Sequence, residues 1–266
     1  LSVWLMNEST ELGIFEAGIS EMGEMEALQS IIRPSIGVLT NIGGAHQENF
    51  YSVEDKCIEK LALFKDCDVV IYDGDNELIS RCISKSLFSA REIAWSRKDS
   101  ERPLYIESVT KEVSSTTIRY RYLGMPNAYT IPFIDDASIE NSLHCLAVAL
   151  YMMVPAEDIA ERMAHLEQIA MRLEVKEGKN GCVIINDSYN SDLASLDIAL
   201  DFMSRRSEDK GKKRTLILSD MLETGQSSKL LYRQVAELVH SRGVEKIIGV
   251  GDEIRTASSR FELEKY

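Results

Sequence analysis

Short apolar runs that stop on a polar residue recur along this chain. Ile36-Gly37-Val38-Leu39 runs into Thr40-Asn41, and Val69-Val70-Ile71-Tyr72 into Asp73. Val183-Ile184-Ile185 meets Asn186-Asp187, Leu216-Ile217-Leu218 meets Ser219-Asp220, and Ile247-Ile248-Gly249-Val250 meets Gly251-Asp252. Leu12-Gly13-Ile14-Phe15 before Glu16-Ala17-Gly18 has the same form. Runs of this kind, apolar without alternation, read as strands buried on both faces. Helical patterns lie between them at 23–33, just before Pro34, at 52–64 and at 76–88. The alternation predicts an α/β fold with a mainly parallel sheet and helices on both faces. Open sheets of that type bind ligands beyond the carboxyl ends of their strands, so the polar rim made by these strand ends is where chemistry is expected.

From 104 to 133 the pattern changes to alternation, in Tyr105-Ile106-Glu107-Ser108-Val109, Thr117-Ile118-Arg119-Tyr120-Arg121-Tyr122 and Ala128-Tyr129-Thr130-Ile131. Those segments predict a small antiparallel patch with one wet face. Helices are expected at 138–153 and 156–169, the second opened by Pro155, whose fixed φ suits a first helical turn. Sheet-type patterning restarts at Cys182, which places a domain boundary between Ala170 and Glu174 and divides the chain into 1–171 and 172–266. The charged stretch 204–213 reads as a solvated connection, and there is no internal repeat or low-complexity tract.

Composition narrows the function classes. With 266 residues, 44% of them hydrophobic, the chain can bury a substantial core in one large or two ordinary domains, two being expected. A net charge of −13 argues against nucleic acid or a membrane surface as a general partner, so a phosphate ligand would need a metal or a few aimed donors. The five cysteines, Cys57, Cys67, Cys82, Cys145 and Cys182, are scattered without a Cys-x-x-Cys pair. That usage points to a reducing cytoplasm rather than to a disulfide framework or a zinc site. Nothing approaches the ~18 consecutive apolar residues of a membrane span, and no secretory leader pattern opens the chain, which predicts a soluble protein. The first residues, Leu1-Ser2-Val3-Trp4, lack an initiator methionine, and the last, up to Tyr266, follow closely on an expected strand; both ends are expected to be internal to something longer.

Several polar residues at strand ends and helix starts could carry chemistry. Glu16 can hold Mg2+ through oxygen, the ligand that hard ion prefers, or be a solvated strand-end acid. His46 can ligate a metal or bond to loop backbone, and Lys60 is on its own a helix-surface charge. Asn141 offers the donor and acceptor pair that matches an adenine edge, or else caps its helix. Arg172 could reach a phosphate or ribose, or form an interdomain ion pair; Asp187 could accept from ribose hydroxyls, with Ser188, Tyr189 and Asn190 lining a cleft, or the four could be an ordinary turn. Asp73-Gly74-Asp75 has the strand-Asp-x-Asp form of haloacid-dehalogenase-type Mg2+-dependent phosphatases, but Glu77 stands where that signature has Thr or Val. No Gly-x-x-x-x-Gly-Lys-Ser/Thr phosphate loop occurs anywhere.

Taken together these segments resemble the Mur ligases, ATP-dependent amide-forming enzymes of peptidoglycan precursor assembly. Glu16-Ala17-Gly18-Ile19-Ser20-Glu21-Met22-Gly23-Glu24 is similar to the family's Glu-x-Gly segment, and Asn41-Ile42-Gly43-Gly44-Ala45-His46 to its Asn-x-x-x-x-His loop. Ile139-Glu140-Asn141-Ser142 resembles its adenine-binding helix start, Met171-Arg172-Leu173 its Gly-Arg-Leu, and Ser219-Asp220-Met221-Leu222-Glu223-Thr224-Gly225 its Gly-Asp-Met-x-Glu-Leu-Gly. Asp187-Ser188-Tyr189-Asn190 is similar to the Asp-Ser-Tyr-Asn of the branch that adds D-alanyl-D-alanine to UDP-N-acetylmuramoyl-tripeptide, where sister ligases carry Ala-His.

The resemblance implies a central ATPase domain followed by a Rossmann-like last domain, both incomplete, with the phosphate loop upstream of Leu1. It implies Glu16, His46 and a carbamylated Lys60 as Mg2+ ligands, Lys56 and Lys65 being the alternative registers for the lysine. Lys60 and His46 then act in catalysis, Asn41, Asn141, Arg172 and Asp187 bind ATP, and Ser188, Tyr189 and Asn190 line the substrate cleft. The implied reaction passes through an acyl phosphate on the tripeptide that the dipeptide amine attacks. This chain alone is expected to be inactive. A different amine is the near alternative, and because some bacteria fuse this ligase to an alanine racemase, a racemase in the same chain stays open as a partner. The sequence departs from the family pattern at Met171, at Asp192-Leu193, and around Lys60, where Ile58, Glu59, Leu61 and Ala62 do not reproduce Lys-x-Lys-x-Glu.

Overall fold

A computed structural model describes residues 2–43, 47–86, 89–167, 173–189, 191–206, 211–221 and 226–261. The chain separates into two compact units, one of residues 1–133 and 137–165, the other of 134–136 and 166–266.

The first unit is built on one six-stranded sheet in sequence order: β1 (Ile36–Leu39), β2 (Val69–Asp73), β3 (Arg91–Ser96), β4 (Leu104–Lys111), β5 (Thr116–Tyr122) and β6 (Met125–Ile131). β1 to β4 pair parallel and β4 to β6 antiparallel. The expected antiparallel patch is therefore an extension of the parallel sheet, joined where Trp95 and Ser96 meet Leu104 and Tyr105. Its wet face is real: Ile118 and Tyr120 are buried while Arg119 between them is exposed.

Helices cover both faces. β2 shows why its residues are apolar throughout, since Val70 and Tyr72 pack with Met25, Cys57, Leu61 and Ile79 from α1 (Glu24–Ile32), α2 (Val53–Ala62) and α3 (Glu77–Lys85). Val69 and Ile71 point the other way and pack with Ile139, Leu143, Leu146 and Ile159 from α4 (Asp136–Tyr151) and α5 (Ala156–Ala164). Gly37 in β1 is required by packing, because a Cβ there would lie 2.6 Å from Cδ1 of Phe64. No described helix is long and apolar enough to cross a membrane.

The second unit holds an antiparallel pair, β7 (Glu174–Glu177) with β8 (Val183–Asn186), then α6 (Leu193–Arg205), and a parallel pair, β9 (Thr215–Ser219) with β10 (Lys246–Val250). α7 (Ser228–Ser241) connects the parallel strands, and α8 (Asp252–Thr256) follows. Leu196 and Leu200 of α6 share a core with Tyr232, Val235 and Val239 of α7 and with Leu218 and Ile247.

Four expectations are corrected. Residues 12–16 form no strand, and Leu12 and Ile14 are 55% and 88% exposed: an apolar run becomes a strand only where a neighbour supplies a ladder, and this one pairs with none. β3 lies at 91–96, where no strand was expected, and β7 precedes the expected restart at Cys182. α5 stops at Ala164, with His165 as its C-cap, rather than running to 169.

Candidate functional site

β1 delivers the chain to Thr40 at an edge of the sheet, and its last ladder pair is Leu39 with Tyr72. The carbonyls beyond that point are taken up by side chains from two helices. On α2, Lys56 Nζ donates to the Gly43 carbonyl at 2.9 Å and Lys60 Nζ to the Asn41 carbonyl at 3.4 Å. The two lysines are four residues apart and so share one helix face. Ser52 starts that helix by accepting from the Asp55 amide at 3.0 Å, while Glu54 and Asp55 in the first turn and Lys60 in the last complement the helix dipole.

Lys60 is thus not the solvated charge its position suggested. Burial pulls its amine below the ordinary lysine range. Lys56 is 3% exposed, with Nζ 5.6 Å from the Phe50 ring centroid, and its amine is lowered by burial and by the neighbouring Lys60 charge. Lys65 is exposed, which separates it from the other two registers.

The same helix positions the chain that follows Glu16. Glu59 Oε1 accepts from the amides of Gly23 at 2.8 Å and Met25 at 3.1 Å, so its carboxylate caps the start of α1 across 36 residues of sequence. Asn49 Nδ2 donates to the Ser20 carbonyl at 2.9 Å, tying this segment to the residues after the β1 loop. Glu16 and Asn41 are both exposed.

From the opposite face of the sheet, α4 contributes His144, which is 2% exposed. The Trp95 indole N–H donates to His144 Nδ1 at 3.3 Å, with the rings edge to face at 5.4 Å. Indole is a donor only, so Nδ1 is the acceptor and the ring proton sits on Nε2, which donates to the Thr40 carbonyl at 3.1 Å. Burial pushes the imidazole down to about 4, against the opposing effect of the Thr40 bond. Asn141, one turn earlier on α4, is exposed. No local signal marks His144, since both its partners are distant in sequence.

In the second unit, Asp187 Oδ1 accepts from the Leu173 amide at 3.1 Å, fastening the end of β8 to the residue just after Arg172. Leu173 has a left-handed backbone (φ 50). Ser188 Oγ donates to Asn186 Oδ1 at 2.8 Å, and Tyr189 is 63% exposed. His46, Arg172 and Asn190 lie outside the described residues.

The phosphatase alternative does not survive the geometry. Asp75 accepts from Ser96 Oγ at 2.5 Å and from the Arg97 amide at 2.7 Å, and Asp73 Oδ1 accepts from the Asp75 amide at 2.9 Å. The two carboxylates brace the ends of β2 and β3 instead of converging on an open space. Among the described residues no three His, Cys, Asp or Glu groups converge as a metal would require. Glu16 carries a carboxylate, the donor type that Mg2+ prefers, and burial disfavours the charged form of Lys60.

The Mur ligase middle domain matches residues 2–149, and the Mur ligase, glutamate ligase domain matches 171–265. The UDP-N-acetylmuramoyl-tripeptide–D-alanyl-D-alanine ligase of Bacillus subtilis is 28% identical over 257 residues, covering 94% of this chain and 53% of the relative. Among solved structures, MurF from Acinetobacter baumannii superimposes with a TM-score of 0.76 at 18% identity, over 93% of this chain and 54% of the other. MurF from Thermotoga maritima in complex with ADP gives 0.69 at 17%, over 92% and 60%. The chain spans about half the length of these relatives. The middle-domain match alone takes in more than half of the chain, the second match follows it in order, and the α/β architecture agrees with both: this chain belongs to the Mur ligase family.

Proposed function

We propose that this chain is the central and C-terminal part of an ATP-dependent ligase that joins D-alanyl-D-alanine to UDP-N-acetylmuramoyl-tripeptide. Residues 1–171 would belong to the central ATPase domain and 172–266 to the Rossmann-like last domain. The observation that carries this reading is the likeness to the Bacillus subtilis ligase over 94% of the chain. The geometry agrees: one buried and one half-buried amine and a neutral histidine hold the loop at the carboxyl end of β1, where an α/β sheet binds its ligand.

In this reading Asn141 and Asn41 bind the nucleotide together with Arg172 and Asp187, and Ser188, Tyr189 and Asn190 face the substrates. Glu16, His46 and Lys60 as its carbamate would hold Mg2+, which when bound offsets charge on the transferred phosphoryl group. The tripeptide carboxylate is activated as an acyl phosphate, and the dipeptide amine displaces phosphate to form the amide. The buried free thiols of Cys57, Cys67 and Cys82 suit a reducing cytoplasm. The 266 residues alone would be inactive, having no phosphate loop.

The test is phosphate release from ATP by the full-length protein with UDP-muramoyl tripeptide, with and without D-alanyl-D-alanine. Release that requires both substrates is expected. Release indifferent to the dipeptide, or none, would overturn the assignment, and release with another amine would redirect it within the family.

A further inference from the structure

We infer that His144 is a positioning residue that sets the distance between the base-reading turn of α4 and the loop after β1; this rests on the nucleotide reading proposed above. Thr40 O is the first carbonyl past the last ladder pair of β1, Leu39 with Tyr72. Thr40 is itself exposed, and the buried His144 donates from Nε2 to its carbonyl at 3.1 Å, tying the loop to the interior. The next loop carbonyls, Asn41 and Gly43, are met by Lys60 and Lys56. Side chains from two helices on opposite faces of the sheet therefore shape residues 40–43.

The imidazole is itself held from behind. Trp95 on β3 fixes the ring by donating to Nδ1, which dictates that Nε2 carries the proton. Both ring nitrogens are engaged, as a buried imidazole requires, and the partners they find link β3 through α4 to the end of β1. His144 lies three residues after Asn141, so the two side chains neighbour each other on the helix surface, one inward and one exposed. Fixing Thr40 to this turn fixes Asn141 relative to the loop whose continuation contains His46. Loosening the link should weaken nucleotide use without changing any group that touches the nucleotide.

Two amides of different length separate this role from packing. In His144→Gln the amide nitrogen falls near the position of Nε2 and can still donate to Thr40. In His144→Asn the shorter amide falls near Nδ1, keeps an acceptor for Trp95 and does not reach Thr40. In the full-length protein, His144→Gln should keep kcat/KM for ATP within about threefold of wild type, and His144→Asn should lose on the order of tenfold, mainly in KM. The amide of Asn41 shares a peptide group with the Thr40 carbonyl, so its resonance should shift in the Asn variant and stay near wild type in the Gln variant. An unchanged Trp95 indole resonance would verify that the Asn variant keeps the fold around the ring. Equal displacement of the Asn41 amide resonance in the two variants, or losses of kcat/KM that simply follow melting temperature in both, would overturn the inference. If the wild-type protein shows no ATP-dependent ligation, the proposed function fails, and the Asn41 amide comparison still decides whether His144 holds the loop.

Discussion

Acid should selectively destabilise the first unit through His144. An imidazole in water titrates near 6.5, and burial holds this one at about 4. Between those values the unfolded chain binds a proton that the folded chain refuses, so stability rises with pH across that window. The contribution is complete above about pH 6.5, falls as pH drops, and levels off below about pH 4. The full shift corresponds to about 3 kcal/mol, of which about 2 kcal/mol is lost by pH 5. That is a large part of the 5–15 kcal/mol that typically holds a domain together. The perturbation that isolates it is His144→Gln, which removes the titrating group and keeps a donor for Thr40. Urea unfolding followed by Trp95 fluorescence in a Trp4→Phe background reads the first unit. The stability difference between wild type and the Gln variant should shift by about 2 kcal/mol against wild type from pH 7 to pH 5, roughly 1 M in urea midpoint. A difference that stays flat over that range would refute both the neutral tautomer and the buried-ring account.

Other outcomes follow from single contacts. Glu59→Ala should destabilise the first unit by about 2 kcal/mol in the same urea assay, because the amides of Gly23 and Met25 lose their acceptor; Glu59→Gln, which keeps an oxygen but drops the charge at the start of α1, should cost about 1 kcal/mol. Gly37→Ala should cost about 1–3 kcal/mol by driving a methyl into the Phe64 ring, and a double-mutant cycle with Phe64→Leu should recover most of it. Lys60→Ala should lower ATP-dependent phosphate release by the full-length protein on the order of a hundredfold while Lys65→Ala, at an exposed position, leaves it within about twofold; a large loss in Lys65→Ala would move the register.

Where a segment is buried on both faces, its sequence is nearly enough to name it. β2 is an apolar run because neither of its faces can afford a charge; β9 and β10 were legible as apolar runs too, although Ile217 and Val250 are exposed. β4 to β6 were legible from the opposite signal, alternation between core and water. The failures have the same physics seen from the other side. Residues 12–16 are as apolar as β1, yet no strand pairs with them. β7 reads Glu-Val-Lys-Glu and is a strand only because β8 pairs with it along its whole length. β3 opens on Arg91-Glu92 and is identified by its partners β2 and β4 rather than by its own residues.

The candidate site divides in the same way. Strand-end position drew attention to Asn41, Asp73 and Asp187, and motif resemblance to Lys60 and Asn141, because residue type and local order are properties of the chain. Sequence alone determined that this is an α/β protein of Mur ligase type and which segments could carry its chemistry. Only the tertiary structure decided that Asp75 is committed to Ser96 and Arg97, that Lys56 and Lys60 turn inward while Lys65 does not, and that His144 holds Thr40. Each of those depends on partners 13 to 104 residues away in sequence, and a hydrogen bond or a buried charge is defined by the group it meets, which local patterning does not contain.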